Sequence, residues 1–172
     1  MSVFSITAFR SALAGGARPN LFKFSFGALP SGVSLTGSDV LIKAGAIPGY
    51  TLGVIEVPFR SRRIKVPGDR TFAEWTVTVI NNESQSIRAG FENWMSYIAD
   101  NNFVNANLRR AGAGIDYTTQ ITVEQLKDDN STSKKTVLYH AFPTDVSTID
   151  LSYDTTDAVE EFTVTFQYVY SA

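Results

Sequence analysis

Apolar and polar residues alternate with a period of two through most of this chain, in short runs separated by turn residues. In LFKFSF (residues 21–26), Phe22, Phe24 and Phe26 fall on one face, and in FAEWTVTV (72–79) Ala73, Trp75, Val77 and Val79 do the same. Near the C-terminus, EFTVTFQYVY (161–170) sets Phe162, Val164, Phe166, Tyr168 and Tyr170 opposite Thr163, Thr165 and Gln167. Alternation in β-branched and aromatic residues marks strands with one buried face. Weaker runs predict further strands at 40–44, 119–127 and 136–142.

One segment has a different period. In SQSIRAGFENWMSYIADN (84–101), Ile87, Phe91, Trp94, Met95 and Ile98 recur at helical spacing and form one apolar stripe. Gln85, Glu92, Asn93, Ser96 and Asp100 fall on the outward face. Asn82 and Gln85 have the spacing of a capping box. Gly90 inside the stripe costs about 1 kcal/mol relative to Ala, so close packing is expected there. The fold class expected is mainly β: two packed sheets forming a sandwich or barrel, one flanking α-helix, and a long extended hairpin. Residues 1–172 read as one domain, with an N-terminal arm over 1–19.

The hairpin is predicted over 46–68. Pro48-Gly49 and Pro67-Gly68 each have the Pro-then-Gly order of a type II turn. Between them Ile55, Val57 and Phe59 alternate up to a turn at Ser61-Arg62, and Ile64 and Val66 alternate back. An isolated two-stranded hairpin is marginal in water, so this apolar row predicts docking on a neighbour. Arg60, Arg62, Arg63 and Lys65 crowd the tip. Pattern leaves three readings open: a charged edge that discourages strand pairing, a protein contact, or nucleic-acid binding. The last needs aromatics for base stacking, and only Phe59 is at hand.

Composition narrows the class. With 44% hydrophobic and 12% aromatic residues the chain can bury a core, and a net charge of −2 excludes a bulk polycation. There is no Cys, hence no disulfide framework or thiol nucleophile. No apolar run approaches the roughly 20 residues that span a bilayer, so no membrane partner is expected. Arg10 interrupts the apolar N-terminal stretch, which makes a poor signal peptide. The charge is unevenly spread: residues 1–110 hold 12 Lys/Arg and 7 Asp/Glu, whereas 111–172 hold 3 and 10. A basic part and an acidic part on one chain suit head-to-tail contacts between copies, which build rings or filaments.

Catalytic and metal-binding patterns are weak. His140 is the only histidine and sits in a strand pattern on the face of Leu138 and Phe142. A triad with Asp145 and some serine lacks the G-x-S-x-G elbow. Asp128-Asp129 lacks the spacing of a calcium loop and reads as a solvated turn within KDDNSTSKK (127–135). No cofactor and no enzymatic activity are expected.

The succession of motifs resembles the tail tube proteins of T-even-type, contractile-tailed bacteriophages. The segments that carry it are FRSALAGGARPNLFKFSF (9–26), AIPGYTLGVIEVPFRSRRIKVPGDRTFAEWTVTVINNE (46–83), IRAGFENWM (87–95) and LYHAFPTDVSTIDLSYDTTDAVEEFTVTFQY (138–168). Ser61 stands where that family commonly has Gly, and Asn82 where it has Asp. The resemblance implies a β-sandwich or barrel with a flanking helix, six subunits to a ring, and rings stacked into a tube. It also implies partners: further copies of itself, a contractile sheath facing the polar side of the helix, baseplate and tail-terminator proteins, and DNA that traverses the lumen without specific binding. The location would be the virion tail, assembled in the host bacterial cytoplasm. Two rivals remain at this point: the inner tube of a bacterial injection or secretion machine, which shares the fold, and a β-sandwich carbohydrate-binding module, which needs exposed Trp75 and Trp94.

Overall fold

The alternating runs form strands whose apolar faces meet in one aromatic core. A computed structural model describes residues 5–13, 16–30, 32–99, 117–154 and 158–172. In chain order the elements are α1 (Ile6–Leu13), β1 (Phe22–Phe26), α2 (Ser38–Leu41), β2 (Ile42–Gly45), β3 (Tyr50–Phe59) and β4 (Arg62–Phe72). They continue with β5 (Trp75–Ile80), α3 (Ser86–Ile98), β6 (Thr119–Leu126), β7 (Thr132–Val146), β8 (Glu161–Gln167) and β9 (Tyr170–Ser171).

Antiparallel pairing runs in the order β1-β6-β7-β8-β5-β2, with β9 added to β7, while β3 and β4 pair only with each other. The long β7 joins the two halves of the main sheet: it pairs with β6 as far as Ala141 and with β8 from Phe142 onward. The hinge is His140, held at φ 55°. A non-glycine residue at positive φ marks a bulge, which bends a strand and re-aims its side chains. Thr136 and Leu138 point inward before it, Ala141 and Pro143 after it. The single histidine is therefore a corner residue, and the expected shared face of Leu138, His140 and Phe142 is broken by the phase change.

Folding the sheet over brings β1 against β2 without hydrogen bonds between them. A Cβ on Gly45 would lie 2.8 Å from Cζ of Phe24, so only glycine permits that approach. Phe24 packs on Trp75 at 5.6 Å, Trp75 on Phe166 at 5.6 Å, and Phe26 on Phe166 at 6.1 Å. Helix α3 closes the core. Phe91 packs edge-on against Phe26, Phe162 and Phe166, and Trp94 tilts over Phe166 with its indole N–H donating to the Tyr117 carbonyl at 2.8 Å. Ile87, Phe91 and Trp94 are fully buried, and Met95 and Ile98 partly so. Gly90 faces the Ser34 main chain and the Leu35 side chain, where a Cβ would meet the Ser34 carbonyl oxygen; this is the close packing expected of it.

Several sequence expectations shift. The strand expected at 40–44 begins at Ile42, after the turn of helix α2 in which Ser38 donates to the Leu35 carbonyl at 2.8 Å. The run 161–170 is not one strand: β8 ends at Gln167, and Tyr170 crosses to β7 to stack on Tyr139 at 4.6 Å. Ala73 is exposed in the corner between β4 and β5, and Phe72 packs on Tyr168 in its place. The capping box is replaced by a related contact. Gln85 occupies the cap in left-handed geometry without a side-chain bond, and Asn82 Oδ1 accepts from the Ser86 N–H at 3.0 Å. The polar loop expected over 127–135 shortens to a turn over 127–131, because β7 begins at Thr132 and pairs Lys134 and Lys135 with β6. In the turn Asp129 Oδ1 accepts from Ser131 Oγ and N–H, and these bonds lower its pKa.

Two substitutions test the helix packing. Gly90→Ala gains about 1 kcal/mol of helix propensity but drives a methyl into the Ser34 carbonyl, an overpacking cost of roughly 1–3 kcal/mol. The net sign expected in thermal unfolding is a loss of stability. Trp94→Ala should destabilise by about 3–5 kcal/mol; a wild-type melting temperature would place Trp94 on the surface.

Candidate assembly surface

The β3–β4 ribbon positions the residues singled out in the sequence. Its register pairs Ile55 with Val66, Val57 with Ile64 and Phe59 with Arg62, which puts Ile55, Val57, Phe59, Ile64 and Val66 on one face with Arg62 at its end. Directly opposed residues share a face and contribute through side-chain contact. All ten residues of β3 are exposed, and in β4 only Gly68 and Phe72 are partly buried. Five large apolar side chains thus line up on a surface that stays exposed among the described residues. Tyr50, Leu52 and Val54 add exposed apolar surface toward the root, but Val54 directly precedes Ile55 in the strand, so these three fall on the opposite face, that of Glu56.

The ribbon departs from its expected bounds. It runs over 50–72 rather than 46–68, and its turn is Arg60-Ser61 rather than Ser61-Arg62. Both turn residues have positive φ, 43° and 66°, the handedness that a two-residue hairpin of type I′ requires. Pro67-Gly68 makes no turn; it lies inside β4 beside a register shift between Leu52 and Val54. Proline is tolerated there because the ribbon has no further strand to receive its missing N–H. Gly53 and Gly68 let the two backbones pass, each Cβ position lying 3.3 Å from the opposite main chain.

Electrostatics at the tip are uneven. Glu56 takes Arg63 at 2.9 Å and Lys65 at 4.0 Å, on the face opposite the apolar row. Such exposed pairs contribute about 0–1 kcal/mol. Arg60 lies over the Phe59 ring at 5.5 Å. Among the described residues, Arg60 and Arg62 make no ion pair. At the root, Arg70 covers Tyr50 at 4.5 Å, and the Thr51 and Thr71 hydroxyls meet at 2.9 Å.

The helix offers a second, polar surface. Gln85, Glu92, Asn93 and Ser96 are all exposed. Asp100 lies outside the described residues. Glu92 pairs with Arg88 at 2.9 Å, and that guanidinium also donates to the Ser147 carbonyl and lies over Phe162. A third surface has no counterpart in the sequence reading: helix α1 in the N-terminal arm is exposed along its whole length, with Ile6, Phe9 and Leu13 on one side. A lone helix of eight residues is marginal in water.

Among the described residues, no carboxylate or serine is hydrogen-bonded to His140. Its Nδ1 lies 3.4 Å from the Thr118 hydroxyl and its ring meets Tyr170 edge-on. Trp75 and Trp94 are buried, which removes the flat exposed platform that the carbohydrate-binding reading requires. Tyr168, at the root of the ribbon, has a pKa raised by burial.

Comparison with known proteins gives the frame for these surfaces. A family described as phage tail tube protein matches residues 37–171. The tail tube protein gp19 of Enterobacteria phage T4 is 32% identical over 157 residues, which is 90% of each chain. Among solved structures, the fold is similar to a chain of the sheath/tube terminator of an extracellular contractile injection system, at TM-score 0.64 and 14% identity over 88% of this chain and 91% of that one. A chain of the sheath-tube complex of the same kind of system gives TM-score 0.60 and 13% identity over 98% and 97%.

The turn geometry yields a test. Glycine accepts positive φ without the penalty of about 1–2 kcal/mol that a Cβ incurs. Ser61→Gly should raise the amide-exchange protection of Phe59, Arg62 and Ile64; unchanged protection would show that the turn stores no strain.

Proposed function

We propose, from the premise that the chain belongs to the phage tail tube protein family, that its copies close into six-membered rings and that the rings stack into a hollow tube within a contractile sheath. The chain is a subunit of a phage tail tube, and its place is the tail of the virion. The observation that carries the assembly reading is the ribbon: an apolar row on β3 and β4 that stays exposed among the described residues. Burying each such side chain contributes roughly 1.5–3 kcal/mol, so five of them drive association with a neighbouring copy.

The open edges β1 and β2 of the main sheet favour lateral closure, since a closed ring leaves no unpaired edge. The exposed polar face of α3, with Gln85, Glu92, Asn93 and Ser96, suits the sheath, and the two ends of the finished tube suit baseplate and terminator proteins. DNA passes through the lumen at ejection without specific binding. Six-fold repetition would multiply every cation on the wall, and each neutralised phosphate steepens salt-dependent affinity. The cationic ribbon tip therefore belongs away from the lumen. The subunits assemble in the host bacterial cytoplasm.

Negative-stain microscopy of the purified protein tests the reading: hollow rings or rods are expected, and a preparation of compact monomers alone would count against it. Val57→Asp puts a charge into the apolar row without touching the aromatic core. It should leave a folded, soluble subunit with a wild-type melting temperature that forms no rods. Rods of normal length from this variant would sink the role given to the ribbon.

A further inference from the structure

Building on the tube reading, we propose that the ribbon tip of one copy docks on the far pole of a copy in the adjacent ring, at the acidic and apolar surface around Asp150, Leu151, Tyr153 and Asp154. The pairing of β5 with β8 fixes two poles. Trp75 lies opposite Phe166 and Ile80 opposite Glu161, so the six residues of β5 separate the ends by about 20 Å. The ribbon leaves from the Trp75 end. Phe72 packs on Tyr168 there, and the Trp75 indole donates to the Ala46 carbonyl just ahead of β3. The acidic segment belongs to the other end. The Asn81 N–H donates to the Glu160 carbonyl, the Ser147 N–H to the Thr163 carbonyl, and β2 enters there with Ile42 opposite Val79.

The two poles match in chemistry. Asp39, Glu83, Asp150 and Asp154 are exposed at the far pole and make no ion pair among the described residues. The cations near them are already engaged, Lys43 with Glu161 at 2.6 Å and Arg88 with Glu92. At the tip the balance is reversed: Arg60 and Arg62 lack an acid partner among the described residues. The apolar complement is equally matched. Leu151 is 81% exposed and Tyr153 fully so, and in the order Asp150-Leu151-Ser152-Tyr153-Asp154 they are bracketed by carboxylates. Phe59 beside Arg62 presents the same pairing with the sign inverted. A β3 strand of ten residues spans about 33 Å, enough to carry the tip past its own root to another copy. Nucleic acid does not fit as the occupant, because phosphates would find no partner for the apolar row and would be repelled by the far pole.

Charge exchange tests this. Arg60→Glu with Arg62→Glu reverses the tip, and Asp150→Lys with Asp154→Lys reverses the pole; none of the four supports an internal ion pair, and circular dichroism checks the fold. Each double variant alone should lose rods while retaining rings, and the chain carrying all four changes should regain rods. Wild-type rod growth followed by light scattering should slow several-fold between 0.1 M and 1 M salt, as the Debye length falls from about 10 Å to about 3 Å. Rods from either double variant, no recovery in the fourfold variant, or salt-indifferent growth would each overturn the pairing and leave the tube reading standing. A wild-type protein that forms neither rings nor rods would overturn both.

Discussion

The structure depends on a ribbon that cannot satisfy itself. A two-stranded sheet has two faces and two edges, and among the described residues the body meets this one at its root and leaves its apolar face exposed. The ribbon of β3 and β4 nevertheless carries Ile55, Val57, Phe59, Ile64 and Val66 in register on one face. An unpaired hairpin in water is marginal, and an exposed apolar row marks an interaction surface. The cost of that exposure is tolerable only for a subunit whose working state is an assembly. The rest of the fold can then be understood as what holds the ribbon at a fixed angle.

That holding is done by aromatics. Phe72 and Tyr168 seat the root of the ribbon, Trp75 ties β5 to the segment ahead of β3, and Phe166 meets Trp75, Phe26, Phe91 and Trp94. Large rings packed at tilted and edge-on angles gain more than their buried area alone. They also resist rotation, so the ribbon's root inherits the rigidity of the core. The bulge at His140 has a matching role. It turns β7 through the corner that lets one strand belong to both halves of the sheet, which makes the core a closed space with α3 as its lid.

Much of this was legible in the sequence where burial acts on a regular period. The rows Trp75-Val77-Val79 and Phe162-Val164-Phe166, and the stripe Ile87-Phe91-Trp94, have one wet and one dry side, so the pattern reports the packing directly. It failed where tertiary geometry overrides the period. The phase change at His140 and the passage of Tyr170 to the other half of β7 leave no mark in a period-two pattern. Pro67-Gly68 carries the composition of a turn but serves a bulge in an unpaired ribbon. The apolar row itself was legible, and because an isolated hairpin is marginal in water it already predicted docking on a neighbour; alternation carries no mark of where on the neighbour it docks. Leu151 and Tyr153 went unnoticed for a related reason: two exposed apolar residues in a loop have no periodicity at all.

The charges at the tip have a second consequence for the free subunit. Unpaired ribbons with identical apolar faces are templates for pairing with one another, and that contact would be isologous and closed rather than propagating. Arg62 stands at the end of the apolar row and Arg60 beside it in the turn, so two tips brought face to face place like charges against each other with no carboxylate to share. The nearest acid, Glu56, is already committed to Arg63 and Lys65 on the other face. The arrangement disfavours tip-to-tip dimers and spares the proposed tip-to-pole contact, in which Asp150 and Asp154 would supply the missing acids. Each exposed pair contributes little alone, but a junction between the proposed rings would repeat it around the circle. Selectivity for stacking over dimerisation then rests on the difference between repulsion in one geometry and attraction in the other, both multiplied by the same symmetry.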